Sequence, residues 1–122
     1  MTLAIVDAPP DFERTLGPLP PGVTVARPAG GPVDVCIVFH VTPASLAEHF
    51  LRQARGVRAD GALWIAWPKK SSGVATDLTE DRLRDVGLPT GMFDNKVCAI
   101  DRTWSGLRFV VRKELRGGWT PR

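Results

Sequence analysis

Tyrosine is absent from this chain, and cysteine, histidine and methionine each occur only twice. Two cysteines cannot build the disulfide framework of a small secreted fold. Two histidines with two cysteines, at positions 36, 40, 49 and 98, match no zinc motif. No apolar run approaches the roughly 20 residues of a membrane helix. The amino-terminal segment Met1 to Asp7 lacks a basic stretch and breaks at Pro9 and Pro10, so no signal peptide is expected. These absences point to a cytoplasmic protein without a membrane partner, with Cys36 and Cys98 buried and reduced inside apolar runs.

Charge of one sign is also scarce. Sixteen Lys and Arg face 13 Asp and Glu, giving a net charge of +3 and a pI near 9.3. Much of the excess lies late in the chain, where Arg108, Arg112, Lys113, Arg116 and Arg122 face only Glu114. A basic tail can meet nucleic acid or an acidic partner. No aromatic residues interleave with it in an RNA-binding pattern, so nucleic acid is not expected.

What is present is a chain of 122 residues, 43% apolar, the size of one domain. The expected organisation is a single domain over residues 1–116 and a tail over 117–122. The central stretch runs from Gly61 to Gly73. Ala62 to Trp67 is an unbroken apolar run, as in a strand covered on both faces. Leu63, Ile65 and Trp67 would face one way, Trp64 and Ala66 the other. Gly61, after an Ala-Asp turn signal, would open this strand, and Pro68 would end its pairing.

Around it, Thr2 to Asp7, Val23 to Ala26 and Val33 to Phe39 read as strands, the last strongly buried. A short helix is expected over residues 10–16, because proline suits a first helical turn. Pro28 to Pro32 is a turn cluster. Thr42 and Pro43 give an N-cap and first position to a helix running to Arg55 and closed by Gly56. Leu46, Phe50 and Ala54 form its core stripe, with Glu48, His49, Arg52 and Gln53 elsewhere around it. Thr79 caps a helix from Glu80 to Val86, closed by Gly87. Lys96 to Ile100 and Leu107 to Lys113 are the last strands, with Leu107, Phe109 and Val111 inward and Arg108 and Arg112 outward. Their connection is too short for a crossover, so they form an antiparallel hairpin.

Strands separated by helices predict an α/β fold with a mostly parallel sheet and an antiparallel end. That outline, with Asp34 to Phe39, Gly61 to Pro68 and the final hairpin, resembles the latter part of a class I S-adenosylmethionine-dependent methyltransferase. Ala62 to Thr79, Lys96 to Asp101 and Thr103 to Phe109 together resemble a small family of bacterial single-domain proteins of unknown function, over nearly the whole chain. The resemblance implies a three-layer Rossmann-like fold with a six-stranded sheet in the order 2-1-3-4-6-5. Cys36 and Cys98 would then lie on non-neighbouring strands, and no disulfide is expected.

Those methyltransferases hold the cofactor on a Gly-rich turn after the first strand. Here that turn is Asp7 to Asp11, with no glycine and two prolines, and Arg27-Pro28 follows the second strand where an acid would hold ribose hydroxyls. The expectation is therefore a binding or interaction module on a methyltransferase-like scaffold, with no cofactor. Its candidate site is the carboxyl edge of the sheet. Lys69, Lys70, Ser71, Ser72 and Gly73 would offer charge, hydroxyls and turn amides to a small anionic ligand. Asp7, His40, Asp101 and Trp104 would surround it. Each has a plainer role: a solvated loop for the lysines, a turn or cap for His40, an ion pair with Lys69 or Arg102 for Asp101, and a cap under the hairpin for Trp104. The alternative is a divergent S-adenosylmethionine-dependent methyltransferase or another small transferase using His40 or Asp101. A third expectation is a homo-oligomer formed through the open hairpin edge.

Overall fold

Apolar residues dominate Val33 to Phe39 and Ala62 to Trp67, which form the centre of the sheet, and the helices are placed by the apolar stripes that must cover them. The computed structural model of the chain describes residues 1–10, 12–25 and 32–119, the side chains of Glu13 and Thr15 excepted. Its elements are β1 (Thr2–Val6), α1 (Phe12–Leu16), β2 (Thr24–Val25), β3 (Val33–Phe39), α2 (Pro43–Arg55), β4 (Val57–Pro68), α3 (Glu80–Gly87), β5 (Met92–Ala99) and β6 (Trp104–Val111). The strands form one sheet in the order β2-β1-β3-β4-β6-β5. β1 to β4 run parallel, and β6 runs antiparallel to both β4 and β5. This is the strand order expected from the sequence, and it is consistent with a Rossmann-like fold. No described helix is long and apolar enough to cross a membrane.

One sheet face is packed by two helices. Leu46, Phe50 and Ala54 of α2 and Leu83 of α3 meet Val38, Leu63, Ile65, Leu107, Phe109 and Val111 in the main core. Phe50 and Phe109 pack edge to face at 5.4 Å. On the other face Phe12 and Leu16 of the five-residue α1 pack against Phe39, Ala66, Ile37, Ile100 and Trp104. Both long helices start on the expected caps: Thr42 Oγ1 accepts from the Ser45 amide at 3.1 Å, and Thr79 Oγ1 from the Arg82 amide at 3.3 Å.

Several boundaries differ from the sequence reading. β4 begins at Val57, directly after Gly56, and the expected Ala59-Asp60 turn is an irregularity inside the strand, where the pairing with β3 shifts between Val33 and Val35. Gly61 stands at that irregularity because the Asp34 carbonyl approaches to 2.3 Å of where a Cβ would be. Pro68 still lies within β4, opposite Trp104. β5 and β6 start earlier than expected, at Met92 and Trp104, since cross-strand pairing recruits the polar residues Asp94 and Ser105 that apolar patterning passes over, with Asn95 at a shift in the register. Gly87 does not close α3 from outside; it is buried in the last turn against the ring of Phe109. Cys36 is buried, but Cys98 is only half-buried, because the sheet face it lies on is thinly covered; both are free thiols. Ala26, Arg27, the turn from Pro28 and the last three tail residues lie outside the described residues. Within the described part of the tail, Trp119 packs against the main core.

Candidate functional site

The strand order reverses between β1 and β3, so the carboxyl ends of β1, β3 and β4 are where an open α/β sheet forms its crevice. All the residues expected at the site lie along this edge, but on different faces of it. Asp7 leaves β1 with φ 58°, a left-handed conformation that a non-glycine residue rarely takes.

His40 leaves β3 and turns toward α2. Its ring is buried, 2% exposed, with Nδ1 2.9 Å from Ser45 Oγ and Nε2 2.9 Å from Gln53 Oε1. The amide oxygen of Gln53 can only accept, so Nε2 carries the proton and Nδ1 accepts from the serine hydroxyl. Burial pushes the imidazole pKa below its ordinary value, against the bond to Gln53. A neutral imidazole with both nitrogens engaged is a fixture of the β3–α2 junction. Gln53, assigned by the sequence to the remainder of the helix surface, is buried because it supplies this acceptor. The spacing of His40, Ser45 and Gln53 carries no motif that would have revealed the cluster.

Trp104 lies on the opposite face. Its ring packs edge to face on Phe39 at 5.0 Å, and Phe39 does the same with Phe12 at 4.9 Å. Asp101 Oδ1 accepts from the amides of Thr103 and Trp104, both at 2.8 Å, which shapes the turn into β6. The Lys69 amide donates to the Thr103 carbonyl at 2.8 Å, joining the β4 exit to that turn.

The basic loop is folded on itself. Lys70–Ser72 forms a 3-10 turn, and Gly73 follows at φ 81°. The Ser72 hydroxyl donates to the Lys69 carbonyl at 2.6 Å and accepts from the Val74 amide at 3.2 Å. Ser72 is therefore a turn residue. Lys70 and Ser71 are exposed and Lys69 half-buried, and among the described residues neither lysine has a carboxylate partner. A hollow of about 440 Å³ beside Lys70 is also lined by Glu80, Asp81 and Arg84. Both acids bond Arg84, at 2.9 and 3.3 Å.

Thr76 shapes the turn into α3, its Oγ1 accepting from the Leu78 amide at 3.1 Å. Its hydroxyl donates to the Val41 carbonyl, tying the loop after β4 to the exit of β3. Val41, Thr42, Pro43, Ala75, Thr76 and Asp77 frame a second hollow of about 230 Å³ at this edge. No cluster of three or more His, Cys, Asp or Glu able to hold a metal occurs among the described residues.

The turn after β1 does not fit a cofactor cradle made of backbone amides. Pro9 and Pro10 have no donor, and the Phe12 amide is taken by the Pro9 carbonyl at 3.1 Å. Among the described residues of the turn, only Asp7 and Ala8 have an amide to offer a ligand. Asp11, the last residue of this turn, lies outside the described residues.

No protein-family model and no curated protein sequence matches the chain. Solved structures do resemble it in fold. They include LepI in complex with SAM (11% identity, TM-score 0.55) and a LepI variant in complex with SAH and a substrate analogue (11%, TM-score 0.56). In each case the match covers 91% of this chain but 36% of the neighbour. At this identity the likeness concerns the fold alone, and the chain spans about a third of those proteins' length.

Proposed function

We propose that this chain is a binding module on a methyltransferase-like scaffold, taking a small anionic ligand at the carboxyl edge of its sheet. The observation that carries this reading is the pair of lysines at the exit of β4, without carboxylate partners among the described residues and beside the exposed Ser71. In the adjoining hollow Lys70 and Arg84 balance Glu80 and Asp81, so the attraction for an anion comes from the loop itself. Asp7, held in the left-handed region, supports a site at this edge, since such backbone strain clusters at ligand sites.

A second reading is a divergent S-adenosylmethionine-dependent or other small transferase. The comparisons support it better than the first, because the solved neighbours hold SAM and SAH on this fold. The proline-bearing turn after β1 weighs against it.

Titration calorimetry with S-adenosylmethionine, its demethylated product, inorganic phosphate and sugar phosphates separates the two. A ligand present at about a hundred times its dissociation constant also stabilises the fold by roughly 2.7 kcal/mol, which a thermal melt detects. Phosphate binding that disappears in the Lys69→Ala/Lys70→Ala double variant supports the first reading; phosphate binding unchanged in that variant removes the loop from it. S-adenosylmethionine binding in place of phosphate moves the function to the second.

A further inference from the structure

The second sheet face carries a feature that a carboxyl-edge site does not use. α1 is its one described helix, and it covers only the end near Phe39 and Ala66. Beyond it lies an apolar groove of about 240 Å³ lined by Phe12, Leu16, Ile37, Trp64, Cys98 and Ile100. Phe12 is buried and the other five are half-buried. Trp64 lies over β6, where Gly106 makes room: a Cβ there would sit 3.2 Å from the indole Cε3 and 3.0 Å from Ile100 Cδ1.

The rim of the groove is cationic. Arg108 is directly opposite Trp64 across the β4–β6 pair, and Lys96 is directly opposite Arg108 across β5–β6. Side chains of directly paired residues share a face, so Trp64, Arg108 and Lys96 form one row. Arg108 donates to Asn95 Oδ1 at 3.1 Å, and among the described residues neither cation has a carboxylate partner. Toward the amino ends of the strands, Asp34 and Asp60 share a neighbouring hollow with Arg108. Asp34 is engaged there by the Thr2 amide at 2.7 Å and by Arg58 at 3.6 Å.

We infer that this face docks an amphipathic helix of another protein, apolar toward Trp64, Ile37 and Ile100 and acidic toward Lys96 and Arg108. A sheet face with an apolar stripe is stable when a second layer covers it, and an α-helix is the element that lies along a twisted sheet. Charge complementarity selects the partner: an acidic flank pairs with the two cations. A second copy of this chain, itself net positive, would set cations against cations.

The test uses helical peptides with a leucine face and either glutamate or lysine flanks, labelled for fluorescence anisotropy. The expected result is saturable binding of the glutamate peptides alone, weakened by added salt. The Lys96→Glu/Arg108→Glu variant reverses the charge of the row and gives up the Arg108 bond to Asn95; it should lose about tenfold in affinity for those peptides and gain it for the lysine set. Bound peptide should also shield Cys98 from alkylation. Equal binding of both peptide sets, or none, overturns the inference. Concentration-dependent self-association that shields Cys98 without peptide also overturns it, by making a second copy the occupant. Ligand binding at the carboxyl edge is unaffected by either outcome.

Discussion

Gln53 Oε1 accepts the Nε2 proton of His40 at 2.9 Å, and this bond holds the last turn of α2 against the end of β3. Replacing Gln53 with leucine leaves a buried ring N–H without an acceptor. The expected loss is roughly 1–3 kcal/mol in urea denaturation near neutral pH. Burial of the same ring, acting against the Gln53 bond, also sets a pH dependence. The folded imidazole titrates below its ordinary 6.5, so on acidification the unfolded chain takes up the proton first. Stability from this group is complete above that pH and falls as pH drops below it. The His40→Leu variant should lack this component of the slope.

Gly61 and Gly117 should respond oppositely to alanine. At Gly61 a Cβ would meet the Asp34 carbonyl oxygen at 2.3 Å and Val57 Cγ1 at 2.9 Å, and the first obstacle is backbone in the neighbouring strand. Gly61→Ala should cost roughly 1–3 kcal/mol or force β3 and β4 apart. At Gly117 a Cβ meets nothing within 4 Å, and alanine there should be neutral to about 0.5 kcal/mol. Equal denaturation midpoints for the two variants would contradict the close strand approach.

The two thiols should separate kinetically. Burial pushes the Cys36 thiol up to about 11, while Cys98 is half-buried on the thinly covered face. In the native protein one thiol should react with Ellman's reagent, and peptide mapping should place it at Cys98; Cys36 should react only after unfolding. The raised Cys36 value has its own consequence. Above the ordinary 9.0 the unfolded thiol ionises before the folded one, so stability from this group is lost between 9.0 and about 11.

Arg84 joins α3 to the hairpin. Its guanidinium contacts Asp94 of β5 at 2.9 Å and reaches Glu80 and Asp81 on its own helix. Arg84→Met should cost roughly 1 kcal/mol, and the difference from the parent should shrink in high salt, since the ion pairs are partly exposed. A salt-independent cost would contradict an ion-pair origin for the stabilisation.

The sequence by itself determined the strands, the helices and their order. Apolar runs at Val33 to Phe39 and Ala62 to Trp67, and the stripe of Leu46, Phe50 and Ala54, demand burial whatever their neighbours are. Thr42 and Thr79 set helix starts through bonds made within one turn. Strand order was legible through the resemblance of the strand and helix pattern to class I methyltransferases, which implied the order found. Tertiary structure decided what depends on distant partners. It buried Gln53 by bringing His40 to it across 13 residues, folded Ser72 into its own turn, and aimed His40 and Trp104 to opposite faces of one edge. It also left Trp64 of β4 and Cys98 of β5 half-exposed, where the sequence reads both as lying inside buried runs. Whether an apolar residue is covered depends on how many helices reach its face, and five-residue α1 covers one end of it.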